Sequence, residues 1–297
     1  MELDHVTVAG RDLGALQRAF ADAGLPPTAG GDHDNGVTHM ATVPFRDGVY
    51  LELVASRDLD RTAPWWDDAI RNDAGPSAWA IRSDDITADV RRLRDRGLAV
   101  TDPETFSRTR PDGVELSWDL AVVGKEEPDR SAPGGLCPFL VADHTPREAR
   151  VGEPLDPATA GVPATGVAEV VVGVPRLDNA VTTLRDGFGL DAPEVGDDPT
   201  FGRVAHFPDA PVSLASGPAW LAERCERFGP APCAYFLSVD SLVVDNLSDR
   251  HDASVTRSPG ATEDGSRGSA VDERPWFGRR LRAISGEPES VRLFCVG

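Results

Sequence analysis

The sequence predicts an α+β protein built from tandem β-α-β-β-β modules, four modules in two pairs. Residues 1–145 and 166–297 form the two copies, and a Pro-rich stretch at 146–165 links them. Three observations carry this expectation. A strand-into-helix opening recurs at constant offset, turn and tryptophan markers follow in the same order in both halves, and a smaller echo of the opening lies inside each half. A length of 297 residues suits two domains at ~100–200 residues per domain.

In chain order, Leu3–Ala9 reads as a strand, and Leu13, Leu16, Phe20 and Ala23 fall on one face of the helix that follows. Val167–Val174, then Leu177, Val181 and Leu184, repeat that pattern. Gly24 and Gly189 end the two helices, as left-handed caps require. Met40–Phe45 and Val49–Val54 flank Asp47-Gly48, a strong hairpin signal. Taken as a two-residue turn, it pairs Phe45 with Tyr50 and Val43 with Glu52, and sets His39 and Tyr50 on the face of Glu52. Pro64-Trp65-Trp66 recurs as Pro218-Ala219-Trp220, and Gly75-Pro76 as Gly229-Pro230. The tryptophans are expected to pack the junction between modules. Ala78–Ile81 opens a second module, whose helix is capped by Asp84 or Asp85, buries Ile86, Val90 and Leu93, and ends at Gly97. Strands are expected at Val114–Val122 and Cys137–Val141. In the second copy they are expected at Val204–Phe207, Val212–Ala215, Tyr235–Leu237, Arg280–Ile284 and Val291–Val296, with a helix over Leu242–Leu247 and a loop over Ser258–Glu273.

Composition narrows the function. The net charge is −19, and Lys125 is the one lysine against 29 arginines. Such a surface resembles that of salt-adapted cytoplasmic proteins of halophilic archaea, in which salt screens the carboxylate repulsion. A GC-rich genome would also replace Lys by Arg. Nucleic-acid partners are not expected, because they need clustered cations; the run Arg91–Arg96 is interrupted by Asp95 and reads as a solvated helix face. The Met1-Glu2-Leu3-Asp4 start lacks the basic and apolar regions of a signal peptide, and no apolar run has membrane length, so a cytoplasmic location is expected. Cys137, Cys225, Cys233 and Cys295 have no zinc-ligand spacing and read as reduced thiols.

Paired modules of this kind, with Asp4-His5 on the first strand and Tyr50-Leu51-Glu52-Leu53 on the fourth, resemble the vicinal oxygen chelate superfamily. Leu3–Val6, Thr38-His39, Asp47–Leu53, and Arg110-Pro111-Asp112-Gly113 leading to Leu116 and Trp118 are similar, more narrowly, to glyoxalase-like domain proteins. The likeness covers residues 1–145; beyond 165 it rests on the internal repeat. It implies a cleft between paired modules in which His5 and Glu52 bind a divalent metal such as zinc, nickel, manganese or iron. Glu52 would also be the catalytic carboxylate. The function implied is a lyase, isomerase or dioxygenase acting on a small oxygenated metabolite. The alternative is a metal-free protein that sequesters a small molecule.

Other residues follow from position. His39 and Tyr50, on the expected Glu52 face, are candidates for substrate contact. Arg110 could clamp a carboxylate, with a surface ion pair as the other reading, and Trp118 is a core or cleft-wall residue beside the substrate. The partner module offers Ala78 and Val141 where the resemblance would place further ligands; Asp119, Asp143 and His144 are nearby substitutes. In the second copy Glu169 stands at the His5 position and Ser213, Leu214 and Ala215 surround the Glu52 position. There is no G-x-S-x-G elbow, P-loop or G-x-G-x-x-G, so neither a serine hydrolase nor a nucleotide cofactor is expected. The partners expected are a small-molecule ligand and, for assembly, a second copy in a homodimer. If the acidic surface is a salt adaptation, circular dichroism will show the fold lost on dialysis from high to low salt; a fold unchanged by dialysis contradicts it.

Overall fold

The computed structural model describes residues 1–124, 133–156 and 160–239, with the backbone of three further strands at Asp272–Trp276, Arg279–Ser285 and Arg292–Val296. The helix expected over 242–247 and most of the loop expected over 258–273 lie outside the described residues.

The chain opens with β1 (Leu3–Ala9), α1 (Leu13–Asp22), β2 (Thr28–His33), β3 (Thr38–Pro44) and β4 (Tyr50–Ser56). After the short α2 (Asp67–Arg71), the order recurs as β5 (Gly75–Arg82), α3 (Ile86–Asp95), β6 (Glu104–Thr109), β7 (Glu115–Ala121) and β8 (Phe139–Asp143). Asp12 and Asp85 start the two helices by accepting from the N–H groups of Ala15 at 2.8 Å and Ala88 at 2.9 Å. Gly24 (φ 85°), just past α1, takes the left-handed conformation its position requires.

These eight strands close into a barrel in the order β1-β4-β3-β2-β6-β7-β8-β5. Parallel pairing of β1 with β4 sets His5 opposite Tyr50 and Thr7 opposite Glu52. The barrel closes through β2 and β6, which share two register pairs, Asp32 with Thr109 and His33 with Arg108. The outer face carries Val6, Val8, Ala41, Val43, Leu51, Leu53, Trp79 and Ile81, and packs with Phe20, Val90 and Leu93 of α1 and α3. A second apolar set, with Val54, Ala78, Ala80, Leu120, Phe139 and Val141, fills part of the interior.

The short α4 (Arg147–Val151) follows, inside the stretch read as a linker, and Arg150 of α4 is buried. Then come β9 (Ala164–Gly173), α5 (Leu177–Phe188), β10 (Glu194–Asp198), β11 (Gly202–Phe207), β12 (Val212–Ser216), α6 (Ala219–Phe228), β13 (Ala231–Val239), β14 (Asp272–Trp276), β15 (Arg279–Ser285) and β16 (Arg292–Val296). Their sheet order is β10-β11-β12-β9-β13-β16-β15-β14. The same order describes the barrel opened at its β2–β6 seam. No described helix is long and apolar enough to cross a membrane.

One register departs from expectation. Gly48 donates to the Phe45 carbonyl at 3.1 Å, and the Phe45 N–H donates to the Val49 carbonyl at 2.9 Å. The loop therefore has three residues, Arg46-Asp47-Gly48, with Gly48 at φ 81°, the form in which a left-handed glycine follows a tight turn. Glu52 now stands opposite Thr42, not Val43, and His39 opposite Ala55. A one-residue slip turns a strand's side chains to the other face, so His39 leaves the face of Glu52.

Trp79 is fully buried in the outer core, where its Nε1–H donates to the Gly135 carbonyl at 3.1 Å. Replacing it with alanine is expected to cost ~3–5 kcal/mol of unfolding free energy, read from urea titration.

Candidate functional site

The interior of the barrel holds a cleft of about 1050 Å³. Alternation on each strand selects its lining: His5 from β1, Glu52 and Tyr50 from β4, Thr38 and Met40 from β3, His33 from β2, Phe106 and Arg108 from β6, Trp118 and Leu120 from β7, and Phe139 and Val141 from β8. Trp65 and Trp66 complete an aromatic wall. Trp65 lies 4.9 Å from Phe106 between ring centres, so these tryptophans shape the cleft and do not merely pack a junction. Trp220, the counterpart in the second half, is exposed and edges onto Phe201.

Glu52 is the centre. Its Oε2 accepts from the Thr7 hydroxyl at 2.8 Å and stands 3.7 Å from Nε2 of His5. Its Oε1 stands 3.4 Å from Nε2 of His33. Burial pushes the carboxyl pKa up, but His33, His5 and the Thr7 hydroxyl outweigh it and hold it at about 2. Glu52 is therefore an anion at neutral pH.

Both imidazoles are anchored through their other nitrogen. His5 Nδ1 lies 2.6 Å from Asp4 Oδ1, and His33 Nδ1 lies 2.8 Å from the Thr38 hydroxyl. The Asp4 contact depends on a register shift between Leu3 and His5 against β5. That irregularity lets two successive residues of β1 meet. His5 also stacks on Tyr50 at 4.8 Å and meets Phe139 edge-on at 5.3 Å.

Below this cluster runs a buried ionic network. Arg150 donates to Asp4 at 2.9 and 3.1 Å, to Asp143 at 2.5 and 2.9 Å, and to the Tyr50 hydroxyl at 2.8 Å. Arg147 also pairs with Asp4. Burial raises the Asp4 pKa, yet Arg150 and His5 bring it well below the usual carboxylate range. Burial alone would lower the pKa of Arg150, but Asp4 leads the groups that hold it well above the usual value. Burial pushes the Tyr50 hydroxyl up, so it stays protonated.

The structure thus brings His5, Glu52, Tyr50 and Trp118 together at the cleft. It does not bring His39 or Arg110 there. His39 sits on the outer side of β3 because of the register shift, and burial together with Arg57 lowers its pKa. Arg110 pairs with Asp112 at 2.7 Å and donates to the Ala149 carbonyl at 3.2 Å, outside the cleft. Its turn directs it along the rim, and Arg108, two residues earlier, is the β6 arginine that points inward. His144 pairs with Asp119 at 2.8 Å and Asp143 is occupied by Arg150, so neither joins Glu52. Sequence reasoning missed His33, Asp4, Arg108 and Arg150. His33 closes a glycine-rich run with no apolar alternation, and Arg150 lies in the stretch read as linker.

The second sheet carries a different set at the matching strands. Ser213 pairs with Val171 as Glu52 pairs with Thr7. Its hydroxyl donates to the buried Glu169, with His206 Nδ1 3.2 Å from Glu169 Oε1 and 3.1 Å from Ser213 Oγ.

Two imidazole nitrogens and one ionised carboxylate are donor types that a divalent transition metal accepts. The set does not close around a point: among the described residues, no group of three or more His, Cys, Asp or Glu is arranged to hold a metal ion.

Comparison with known proteins agrees with this architecture. A family model described as a glyoxalase-like domain matches residues 3–188. No curated protein sequence matches the chain. Among solved structures, a hypothetical protein from Staphylococcus aureus superposes with TM-score 0.57 at 13% identity, covering 81% of this chain and 92% of that one. A mutant 4-hydroxymandelate synthase from Streptomyces coelicolor superposes with TM-score 0.54 at 12% identity over 99% of this chain and 91% of that one. A fusion of a xylose isomerase-like TIM barrel with a 4-hydroxyphenylpyruvate dioxygenase gives TM-score 0.54 at 13% identity, covering 99% of this chain and 48% of that one. At these identities the likeness speaks for the fold.

The Glu52 pKa predicts a pH dependence. A carboxylate depressed from 4.5 to about 2 contributes stability that is fully present above the unfolded value and is lost as pH falls through the folded one. The contribution is on the order of 3 kcal/mol. Denaturant melts are expected to show this loss between about pH 4.5 and 2, and Glu52→Gln is expected to flatten that part of the profile.

Proposed function

Because the chain belongs to the glyoxalase-like domain family, with a vicinal-oxygen-chelate fold, we propose that its barrel holds the active site of an enzyme that isomerises or cleaves a small oxygenated metabolite. One observation supports this most: a buried, ionised Glu52 faced by the Nε2 atoms of two imidazoles that are each anchored at Nδ1. Here two imidazole nitrogens converge on one carboxylate whose own pKa is strongly shifted, at the wall of a large cleft, as perturbed groups do at functional sites.

In this reading Glu52 does not take the proton, because its carboxyl is too acidic. Histidine is the side chain that exchanges a proton in the neutral range. His33, the more open of the two imidazoles, carries its ring proton on Nδ1 toward the Thr38 hydroxyl in this reading, and its bare Nε2 removes a proton from the carbon beside a substrate carbonyl. The Glu52 charge stabilises the imidazolium that forms. Returning the proton to a neighbouring atom completes an isomerisation, and expelling a leaving group from the same enolate completes a cleavage. Neither needs a co-reactant. His5, fixed between Asp4 and Glu52, orients that carboxylate. The metal that the resemblance implies at His5 and Glu52 is not part of this reading, because the donors present among the described residues do not close around a point.

The aromatic wall of Trp65, Trp66, Phe106 and Trp118 also supports a second reading, a protein that sequesters its ligand without changing it. The two part in ¹H NMR of small 2-oxo and 2-hydroxy compounds in D₂O. The catalytic reading expects protein-dependent proton exchange or product formation, reduced ~100-fold or more in Glu52→Gln and in His33→Ala. Tight binding with neither exchange nor product sinks it and leaves sequestration. Elemental analysis of protein purified without chelator separates the metal-dependent version. That version expects stoichiometric metal, lost in the His5→Ala/Glu52→Ala double variant.

A further inference from the structure

Four arginines line the cleft, Arg108 and Arg150 deep in the barrel and Arg224 and Arg227 on α6. They differ in what balances their charge. Arg150 is embraced by Asp4 and Asp143. Arg108 is as deeply buried, with 3% of its surface exposed, yet it donates to neutral acceptors: the Gly30 carbonyl, Met40 Sδ at 3.1 Å and the Arg150 carbonyl at 2.7 Å. Among the described residues no carboxylate forms an ion pair with it. A guanidinium taken out of water without an ion-pair partner is costly; burial lowers its pKa, and the more distant charge of Glu52 acts to raise it but does not offset the loss.

The surroundings keep it there. A Cβ on Gly30 would lie 2.7 Å from Arg108 Nη1 and collide with Met40 Sδ, so β2 is bare where the guanidinium crosses it. Across the barrel seam Arg108 stands opposite His33. On its own strand it shares a face with Phe106, which pairs with Trp118 on β7 and meets the Trp65 ring. A cation with no ion-pair partner among the described residues therefore lies between an aromatic wall and the His33 imidazole.

We propose that Arg108 binds a carboxylate of the ligand, so that the cleft takes a small organic acid with an apolar or aromatic body. The acid group supplies the missing counter-ion. Its body lies on Phe106, Trp118 and Trp65, and its functional carbon falls beside His33. The fork of a guanidinium matches a carboxylate bidentately. This deepens the proposed function and rests on it only in taking the barrel as the ligand site.

Phenylacetate and phenylacetamide are matched probes, alike in shape and different in charge. Titration of the full chain, followed by tryptophan fluorescence and calorimetry, is expected to show phenylacetate binding ~10–100-fold more tightly than the amide. Arg108→Met should abolish that preference, Arg108→Lys should keep part of it, and Arg92→Met, on the exposed face of α3, should leave it unchanged. Equal affinity for acid and amide overturns the proposal. So does a preference that survives Arg108→Met, or no binding of phenylacetate, benzoate or 2-oxobutanoate at ~10 mM. Thermal melts report whether each variant folds; if Arg108→Met does not, the wild-type preference and Arg108→Lys decide the question. An acid preference without turnover removes the catalytic reading alone. Turnover of neutral compounds without an acid preference removes the carboxylate subsite alone.

Discussion

The cleft depends on closure of the barrel between β2 and β6. Only two register pairs make that seam, and they set His33 beside Arg108. Without it, β2 would be a polar edge strand, His33 would be held only from the β3 side, and the inner wall would open to water. The Arg108 side chain reaches back across the seam to the Gly30 carbonyl and on to the Arg150 carbonyl of α4, adding to a short ladder. In the second sheet the same strand order leaves β10 and β14 at opposite ends.

Two buried carboxylates then divide the interior into zones. Asp4 is neutralised by Arg150, Arg147 and His5 and serves as structure. Glu52 is balanced by two imidazoles, whose own charge is conditional on protonation. A guanidinium partner carries a permanent charge, whereas the charge of an imidazole depends on its protonation state. The stacking of His5 on Tyr50, whose hydroxyl is held by Arg150, joins the two zones into one rigid floor. On the proposed function, groups oriented in this way would need little reorganisation when a substrate binds.

The rest of the chain is not remote from this centre. α4 carries Arg150 under the barrel. From the second half, α6 places Arg224, Arg227 and Phe228 on the same cleft, and Arg224 donates to the carbonyls of Ala74 and Pro76. The family match likewise runs past residue 145, through β9 and α5.

The sequence by itself determined the fold class, because strands and helices with an apolar face announce themselves by period: β1, α1, β3, β4, β5, α3, β7 and β8 were legible, as were His5 and Glu52 within their motifs. It did not reveal β2, β6, β10 or β14, polar strands whose pairing is decided by neighbours far along the chain; β14 begins at Asp272, inside the stretch read as a loop. A hairpin loop of three residues in place of two was beyond local reading, and that single residue moved His39 out of the cleft. Tertiary structure alone decided that Arg108 and not Arg110 faces inward, that His33 completes the Glu52 cluster, and that an arginine from a presumed linker anchors Asp4. Each of those is a matter of which distant strand or turn lies alongside, and local pattern carries no record of it.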